Sequence, residues 1–487
     1  MMADMNFAAL SVEIGIAVLM AAVLLLDLIL EKNAPRRILG GVTAVGLLAV
    51  LAGAVGMYPP DGGAIAFYAG HYIVDGYSIF FKMLFIVGML STVLFSMDYA
   101  EEVLPHRGEY YVLLLAALLG MCALASANDL MTAFVGLELM TISFYTLVAI
   151  RTDNPLSAEA GIKYLVFGSG STAVLLYGMS LVYGMTGTMV FQGIAQGLGL
   201  VLSLGLIGVV FILAGFFFKL SIIPFHLWAP DVYEGAPAPV TALLAMCSKA
   251  AGVAILLRVL FVAFPALSAY WTHLMAALAC VSMVGGNIMA FRQTNIKRML
   301  AYSSIAHAGF VLIGVSAFHS AAIEAVAFYL LAYGLASVGA FGVVALVRER
   351  AGGAGIVGEA TALDRWRGLG RKDPFLAGAM AIFLLSFAGI PLTGGFIGKF
   401  QVFAAGVEGG LAVLVVLAVL ASAATAFFYF RLILMMFFQE PDDYAVPVAS
   451  EGYSAVAIGV CAVGTLLLGI VPGPLMNFLG EAKAFML

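Results

Sequence analysis

The amino-acid sequence predicts a polytopic helical membrane protein, and three observations support that fold class. Of the 487 residues, 63% are hydrophobic and only 10% are charged, and the mean hydropathy is +1.10. A water-soluble chain of this length needs a polar exterior, whereas a chain surrounded by lipid does not. Apolar runs of about 20 residues recur along the chain, and its Lys and Arg residues concentrate in alternate connectors. The net charge of -5 and the lack of a basic cluster argue against a nucleic-acid partner.

Windows of about 20 apolar residues predict fourteen transmembrane spans, separated by turn-forming sequences such as Pro59–Gly63 and Asp153–Pro155. The first run is expected to be a retained span, because no basic region precedes it and the run is long and lacks an evident cleavage site. The predicted spans are residues 8–30, 38–57, 76–97, 109–127, 129–150, 158–184, 196–222, 238–263, 268–291, 299–318, 322–347, 374–405, 410–438 and 454–480.

The basic residues of the connectors predict the orientation of these spans. When the connectors are assigned alternately to two sides, one side carries only Lys483. By the positive-inside rule the other side is cytoplasmic, which places both termini on the outer face. The cytoplasmic set is Lys32, Arg36, Arg37, Arg107, Arg151, Arg292, Lys297, Arg298, Arg348, Arg350, Arg365, Arg367, Arg371 and Lys372.

Seven basic residues fall inside the predicted spans. Lys82, Arg258 and Arg431 lie within about two turns of a span end, so their side chains are expected to reach the membrane surface. The other four are Lys163, Lys219, Lys249 and Lys399. Lys249 is expected near the bilayer midplane, and Glu138 about 13 Å from the outer surface. Charge at this depth costs about 3 kcal/mol, so such residues usually line a polar path.

Spans seven and twelve are predicted to be broken helices. Pro224 interrupts the apolar run that contains Lys219, and Pro391, among several glycines, interrupts the run that contains Lys399. Broken helices at membrane depth are tolerated where they line a polar cavity. The alternative is two ordinary proline kinks. The two broken spans are five spans apart, which suggests two inverted repeats. The predicted units are residues 1–108 (three helices), 109–263 (spans four to eight), 264–440 (spans nine to thirteen) and 441–487 (the last helix).

These residues are suited to proton transfer. In water, lysine titrates far above neutral pH. Desolvation lowers the pKa of a buried lysine, and a nearby carboxylate raises it. A carboxylate that can move towards and away from a buried lysine can therefore make that lysine bind and release a proton. Glu138 is expected to switch Lys219, with Lys249 and Lys399 as later acceptors. His226 and His307 are auxiliary candidates, although for a single intramembrane histidine a structural role is favoured over a relay role. The four cysteines stand singly, and no metal, nucleotide or redox motif occurs. No cofactor is therefore expected in this chain.

Five motifs together resemble the subunit N family of the bacterial proton-pumping NADH:quinone oxidoreductase, respiratory complex I. They are GLELMTISFYTLVA, GIKYLVFGSGSTAVLLYGMSLVYG, APDVYEGAPAPVTALLAMCSKAAG, LAYSSIAHAGFVLIG and AGIPLTGGFIGKF. The resemblance covers residues 75–440. The related M-type subunit has glutamate at the position of Lys399, and the L-type carries a long C-terminal extension, so the N-type is favoured.

The resemblance implies fourteen helices, two inverted repeats with one broken helix each, and proton translocation driven by quinone reduction in other subunits. It implies that Glu138 pairs with Lys219, that Lys163 modulates this pair, that Lys249 is the central lysine and that Lys399 belongs to the exit half. Flavin, iron-sulfur clusters and quinone are expected in partner subunits, and M-type and small K-type membrane subunits are the expected neighbours in the inner membrane.

Two other functions remain open at this stage. A subunit of a multisubunit cation/proton antiporter has a similar fold and would use the same lysines. A solute carrier that holds an organic anion at the broken helices is a third alternative, although the sequence contains no pocket signature for it.

Overall fold

The computed structural model describes residues 6–31, 34–59, 63–198, 202–350, 356–441, 444–447 and 452–482. Lys32 and Lys483, which entered the orientation prediction, lie outside these ranges. In the described part, twelve helices are long and apolar enough to cross a membrane, and shorter apolar helices occur in the segments of the two predicted broken spans. Together they account for the fourteen predicted spans.

Ten α-helices lie in the described residues of the first half of the chain. They are α1 (Ser11–Ile29), α2 (Arg37–Gly56), α3 (Gly76–Val103), α4 (Arg107–Ser126), α5 (Leu130–Val148), α6 (Pro155–Thr186), α7 (Phe191–Leu198), α8 (Leu202–Leu220), α9 (Trp228–Gly235) and α10 (Ala238–Ala263). Local capping explains several starts. Asp75 and Ser78 form a capping box at α3, and the Asp129 carboxylate accepts from the backbone of Met131 and Thr132 at α5.

The second half contains nine helices. They are α11 (Ser268–Phe291), α12 (Ile296–Ala317), α13 (Ser320–Leu346), α14 (Leu369–Lys372), α15 (Pro374–Ala388), α16 (Gly394–Glu408), α17 (Ala412–Phe438), α18 (Gly452–Ile470) and α19 (Gly473–Ala482). Asn295 caps α12 by accepting from the backbone N–H groups of Lys297 and Arg298. These two basic residues therefore lie in the first turn of the helix, which begins three residues before the predicted start of that span.

The predicted last span, residues 454–480, is wrong in its extent. Helix α18 ends at Ile470, and a separate helix, α19, begins at Gly473 and packs against α3 and α13. Pro472 separates them, because a proline nitrogen has no hydrogen to donate to the helix ladder. The short helix α7 was also not predicted as a separate element.

Both predicted breaks are present. Helix α8 ends at Leu220 and the chain resumes as α9 at Trp228, with Pro224 between them. Helix α15 ends at Ala388 and α16 begins at Gly394, with Pro391 between them. Gly389 follows α15 in the left-handed conformation that often ends a helix.

Helix α10 lies at the centre of the bundle and is buried along almost its whole length. It contacts α3, α4 and α8 on one side and α13 on another. Helix α6 packs on α8 and α9, while α12 packs on α9, α11 and α16. The two halves of the chain therefore meet around α9, α10 and α12.

Two small sheets lie in the connectors. Strands β1 (Ile65–Phe67) and β2 (Tyr72–Val74) form an antiparallel hairpin before α3, with Ile65 opposite Val74. Strands β3 (Val347–Arg350), β4 (Ile356–Glu359) and β5 (Ala445–Pro447) form a second antiparallel sheet in the order β4-β3-β5. Arg348 is opposite Glu359 and Val446.

Glu359 of β4 attaches this second sheet to the helices. It accepts hydrogen bonds from Tyr99 (2.7 Å), the Ala238 backbone at the start of α10 (2.8 Å) and Lys297 (2.7 Å). Burial raises the pKa of the Glu359 carboxyl, but Lys297 and the other donors outweigh burial and hold the pKa below its ordinary value. The carboxylate is therefore charged and connects the sheet to both halves of the bundle.

Candidate functional site

Three of the predicted lysines are almost completely buried. Lys219 lies in the last turn of α8, Lys249 near the middle of α10 and Lys399 in α16. Their exposed fractions are 2%, 5% and 4%, respectively. Each lies at a helix break or on the central helix, as the sequence predicts.

Lys219 is held by hydroxyl groups and aromatic rings. Its Nζ donates to Thr141 Oγ1 at 3.1 Å and to Tyr164 Oη at 3.2 Å, and it lies over the ring of Phe144. It also stands at the C-terminal end of α8, where the unpaired carbonyl groups favour a cation. The break at Pro224 therefore creates the electrostatic setting of this lysine.

Glu138 lies close to this lysine but does not bond to it. Its carboxylate accepts from the Thr172 hydroxyl of α6 at 2.9 Å, and within the described residues no ion pair joins Glu138 to Lys219. Thr141, Thr172 and Lys219 line one small cavity of about 10 Å³. One threonine hydroxyl of this cavity thus bonds to the carboxylate, and the other bonds to the ammonium.

Lys163 bonds to two carboxylates. Its Nζ bonds to Asp231 of α9 at 2.6 Å and to Glu159, one turn earlier on α6, at 2.7 Å. Thr172, which holds Glu138, lies nine residues further along α6, about 13 Å away along the helix axis. The structure therefore places Lys163 in a separate ion cluster, not beside Glu138.

That cluster contains two acidic residues which the sequence reasoning missed. Asp231 also bonds to Arg298 at 2.7 Å, and Glu234 bonds to Arg298 at 2.7 Å and to Asn295 at 2.9 Å. The signal was present in the APDVYEG motif, where two acids three residues apart stand inside an otherwise apolar run. Residues with this spacing share one face of a helix.

His226 lies in the break between α8 and α9 and is 8% exposed. In the described part of the chain no hydrogen bond joins it to Glu138 or to the four lysines. The break itself is held by other groups: Ser282 accepts from the backbone N–H of Ile223 at 3.1 Å, and Trp228 Nε1 donates to the Phe218 carbonyl at 2.9 Å.

Lys249 turns from α10 towards α12. Its Nζ donates to the Ser304 carbonyl at 3.0 Å and to the Ser304 hydroxyl, which also contacts Tyr233. A cavity of about 20 Å³ adjoins this contact and is lined by Lys249, Ser304, His307, Tyr329 and Tyr333, among others. This volume is sufficient for one water molecule.

His307 is the next polar residue along α12. It is 3% exposed, and its two ring nitrogens contact the hydroxyls of Tyr329 (2.5 Å) and Tyr429 (3.3 Å). Because a neutral imidazole has one donor and one acceptor nitrogen, one tyrosine must accept while the other donates. The Tyr429 hydroxyl also contacts Ser303. His307 therefore stands inside a chain of exchangeable hydrogens.

Lys399 bonds to the backbone carbonyl groups at the C-terminal end of α15, the first half of the second broken helix. Its Nζ donates to the carbonyl oxygens of Phe387 (2.7 Å) and Ala388 (3.2 Å), the last two residues of α15, and to the Ser422 hydroxyl (2.7 Å). It also lies over the Phe310 ring. Carbonyls that the break leaves without helix partners therefore hold this ammonium.

The expectation that Lys82 and Arg258 reach the membrane surface is wrong. Lys82 is 0% and Arg258 1% exposed. Each has a buried carboxylate partner on another element: Lys82 pairs with Glu13 at 2.8 Å, and Arg258 pairs with Asp75 at 2.9 Å. Arg431 is exposed on α17, as expected. The sequence position of a basic residue does not reveal an acid that another helix supplies.

The site has no obvious metal ligands. Among the described residues no group of three or more His, Cys, Asp or Glu side chains is placed to bind an ion. Cys122, Cys247, Cys280 and Cys461 are free thiols.

Comparisons with known proteins agree with this architecture. Residues 127–425 match the family described as NADH:quinone oxidoreductase/Mrp antiporter, TM. Two curated relatives are both named NADH-quinone oxidoreductase subunit N. The protein from Desulforamulus reducens is 42% identical over 99% of this chain and 100% of its own length, and that from Moorella thermoacetica is 41% identical over 97% of each.

Two solved structures have the same fold. A chain of respiratory complex I from Thermus thermophilus with bound aureothin is 34% identical, with a TM-score of 0.83 over 97% of this chain and 100% of that chain. A chain of the Mrp complex from Dietzia sp. DQ12-45-1b has a TM-score of 0.87 over 99% and 98% but is 21% identical, so this likeness concerns the fold alone.

The helical bundle with two broken helices and buried lysines defines the class of antiporter-like membrane subunits. The family match covers more than half of the chain, and the relatives align over almost its whole length. The chain belongs to the NADH-quinone oxidoreductase subunit N family. The family resemblance predicted from the five motifs is confirmed.

Proposed function

We propose that this chain translocates protons through a relay of Glu138, Lys219, Lys249 and Lys399, driven by quinone reduction in other subunits of an NADH:quinone oxidoreductase. The relatives that carry this name support the assignment to such a complex. The chain would supply the proton path, while flavin, iron-sulfur clusters and quinone would reside in partner subunits.

One contrast among the buried cations supports the relay. Lys219, Lys249 and Lys399 bond to hydroxyl or carbonyl oxygens. Lys82, Arg258 and Lys297, which are equally buried, are each paired with a carboxylate within 3 Å. A carboxylate partner retains the proton on a cation, whereas neutral oxygens stabilise it less. The three lysines without an acid partner are therefore the residues suited to pass protons.

Two cavities support the order that we propose for the relay. Glu138 would load and unload Lys219 through the cavity between Thr141 and Thr172. Lys249 would receive the proton next, and the cavity beside Ser304 would connect it to His307 and onward to Lys399. His226 has no such contact, so we assign it an auxiliary role. Lys163 would act from its ion cluster at the other end of α6.

The two breaks and their lysines also support the proposal of two inverted repeats, residues 109–263 and 264–440, with residues 1–108 and 441–487 outside them. In the intact complex we expect M-type and K-type membrane subunits as neighbours. We further propose the inner membrane as the location, with both termini on the periplasmic side.

The relay is tested with Lys219→Ala and Glu138→Ala in the complete complex. In inverted membrane vesicles given NADH, we expect either change to slow both proton uptake and quinone reduction by about tenfold or more, because a proton-transfer group is lost. Lys372→Ala, an exposed lysine on the same chain, is the control and is expected to retain normal rates. Normal pumping in both variants would show that the relay assignment is wrong.

The antiporter alternative has a separate readout. A subunit of a multisubunit antiporter would exchange sodium or potassium for protons in vesicles without any electron donor. We expect no such exchange. If the vesicles exchanged these cations for protons and did not reduce quinone with NADH, the antiporter function would be favoured.

A further inference from the structure

The half-helix α9 is separated from its neighbours at both ends. Residues 221–227 form the break before it, and Ala236 and Pro237 separate it from α10. Helix α9 has only eight residues, and it does not continue the backbone hydrogen bonding of α8 or α10, so that bonding does not fix its orientation. Its orientation depends on what its side chains contact.

Two carboxylates on one face of α9 attach it to both halves of the chain. Asp231 Oδ2 bonds to Lys163 of α6 at 2.6 Å, and Asp231 Oδ1 bonds to Arg298 of α12 at 2.7 Å. Glu234, one turn later, bonds to Arg298 at 2.7 Å and to Asn295, the cap of α12, at 2.9 Å. Asp231 is thus bonded to cations of two different helices, α6 and α12, which both pack on α9.

At its other end α9 determines the surroundings of Lys219. Trp228, one turn before Asp231, stacks on Tyr164 with ring centroids 4.5 Å apart and an angle of 11° between the rings. Trp228 Nε1 donates to the Phe218 carbonyl, next to Lys219, at 2.9 Å. The hydroxyl of Tyr164 in turn accepts from Lys219 at 3.2 Å. A tilt of α9 would therefore move the ring that places this hydroxyl.

We propose that Asp231 is a positioning residue for the relay: by fixing α9 between Lys163 and Arg298, it holds Trp228 against Tyr164 and thereby keeps the Tyr164 hydroxyl on Lys219. This inference rests on the proposed function, because it assigns Lys219 to the proton path. It gives Lys163 a role through Asp231 and α9, without contact with Glu138.

The first comparison is between Asp231→Asn and Glu159→Gln in the complete complex. Both remove one carboxylate from Lys163, but Glu159 lies on α6 itself, at 2.7 Å from Lys163, and among the described residues no hydrogen bond or ion pair joins it to α9. We expect Asp231→Asn to lower proton pumping and quinone reduction about fivefold, within the range of coupling between residues of one network. Glu159→Gln is expected to stay within about twofold of the unchanged complex, and Asp231→Glu to restore most of the lost rate.

The second comparison separates positioning from a general loss of stability. In a double-mutant cycle, Asp231→Asn is combined with Tyr164→Phe, which removes the hydroxyl but keeps the ring that stacks on Trp228. If Asp231 acts through that hydroxyl, the combined variant is about as slow as Tyr164→Phe alone. An equal additional loss from Asp231→Asn in both backgrounds would overturn the inference. The amount of intact complex on native gels is measured for every variant, so that rates refer to assembled protein.

Lys219→Ala measured in the same membranes distinguishes the two proposals. If that variant loses pumping while Asp231→Asn pumps normally, only the positioning role is wrong. If Lys219→Ala pumps normally, the relay itself is wrong.

Discussion

The buried lysines in the described part of the chain fall into two groups that differ in their partners. Lys82 is 0% exposed and Lys219 is 2% exposed, yet Lys82 bonds to the Glu13 carboxylate and Lys219 to hydroxyl groups. Burial alone therefore does not identify a proton-transfer residue. The bonded atom separates the two groups, because a carboxylate stabilises the protonated lysine far more than a neutral oxygen does, and the proposed relay uses the lysines bonded to neutral oxygens.

The Lys82–Glu13 pair is expected to be structural. Lys82→Met leaves the Glu13 carboxylate buried without its cation, so we expect it to destabilise the chain by about 3–5 kcal/mol. The double variant Lys82→Met with Glu13→Gln removes both charges and should recover most of that loss. The measurement is the temperature at which half of the tagged chain leaves the soluble fraction of a detergent extract.

In this double variant, pumping per assembled complex should remain normal. A lasting loss of pumping in fully assembled complex would place Lys82 in the proton path and would remove the distinction between the two groups of cations.

At the scale of elements, the two breaks provide sites for cations in different ways. Lys219 belongs to the half-helix whose C-terminal end it occupies, whereas Lys399 reaches from α16 back to the last carbonyls of α15. The second arrangement requires α15 and α16 to approach closely. Gly395, in the first turn of α16, makes this possible, because a Cβ atom there would overlap the Ser386 carbonyl oxygen of α15.

Gly395→Ala is therefore expected to separate the two half-helices and to displace Lys399 from the α15 carbonyls. We expect proton pumping and quinone reduction per assembled complex to fall about tenfold, as for loss of a proton-transfer group. Gly378→Ala in α15 is the matched control, because a Cβ there meets no atom within 4 Å and alanine favours a helix more than glycine does. Equal activity of the two variants would show that this contact does not position Lys399.

At the scale of the whole molecule, the two halves meet around the central helix α10. Lys249 on α10 contacts α12 of the second half, and Asp231 on α9 bonds to both α6 and α12. The sheet formed by β3, β4 and β5 adds a further connection, since Glu359 bonds to Lys297, Tyr99 and the start of α10. Movement of one half therefore changes contacts in the other.

The predicted orientation can be tested on the complete chain. In a background without the four cysteines, Glu408→Cys and Asp364→Cys introduce single thiols at exposed positions in connectors on opposite predicted sides. A membrane-impermeant maleimide added to spheroplasts should label the Glu408→Cys variant directly and the Asp364→Cys variant only after permeabilisation. The opposite pattern would place the termini in the cytoplasm.

Much of the fold was predictable from the sequence because hydropathy and helix breaking are local properties. Runs of about 20 apolar residues determine where the chain crosses the bilayer, and Pro224 and Pro391 each remove a helix hydrogen bond at the position where a break occurs. The depths of Lys219, Lys249 and Lys399 follow from their places within those runs. The five motifs were sufficient to identify the family. The orientation of the termini stays a prediction.

The partners of the charged residues were decided only by the tertiary structure. Lys163 bonds to Asp231, 68 residues away in the sequence, and Arg258 bonds to Asp75, 183 residues away. Hydropathy reports the depth of a side chain but not its direction around the helix or the acid on a neighbouring helix. The sequence by itself therefore determined which residues lie in the membrane, and helix packing determined which of their charges are paired with a carboxylate and which bond to neutral oxygens.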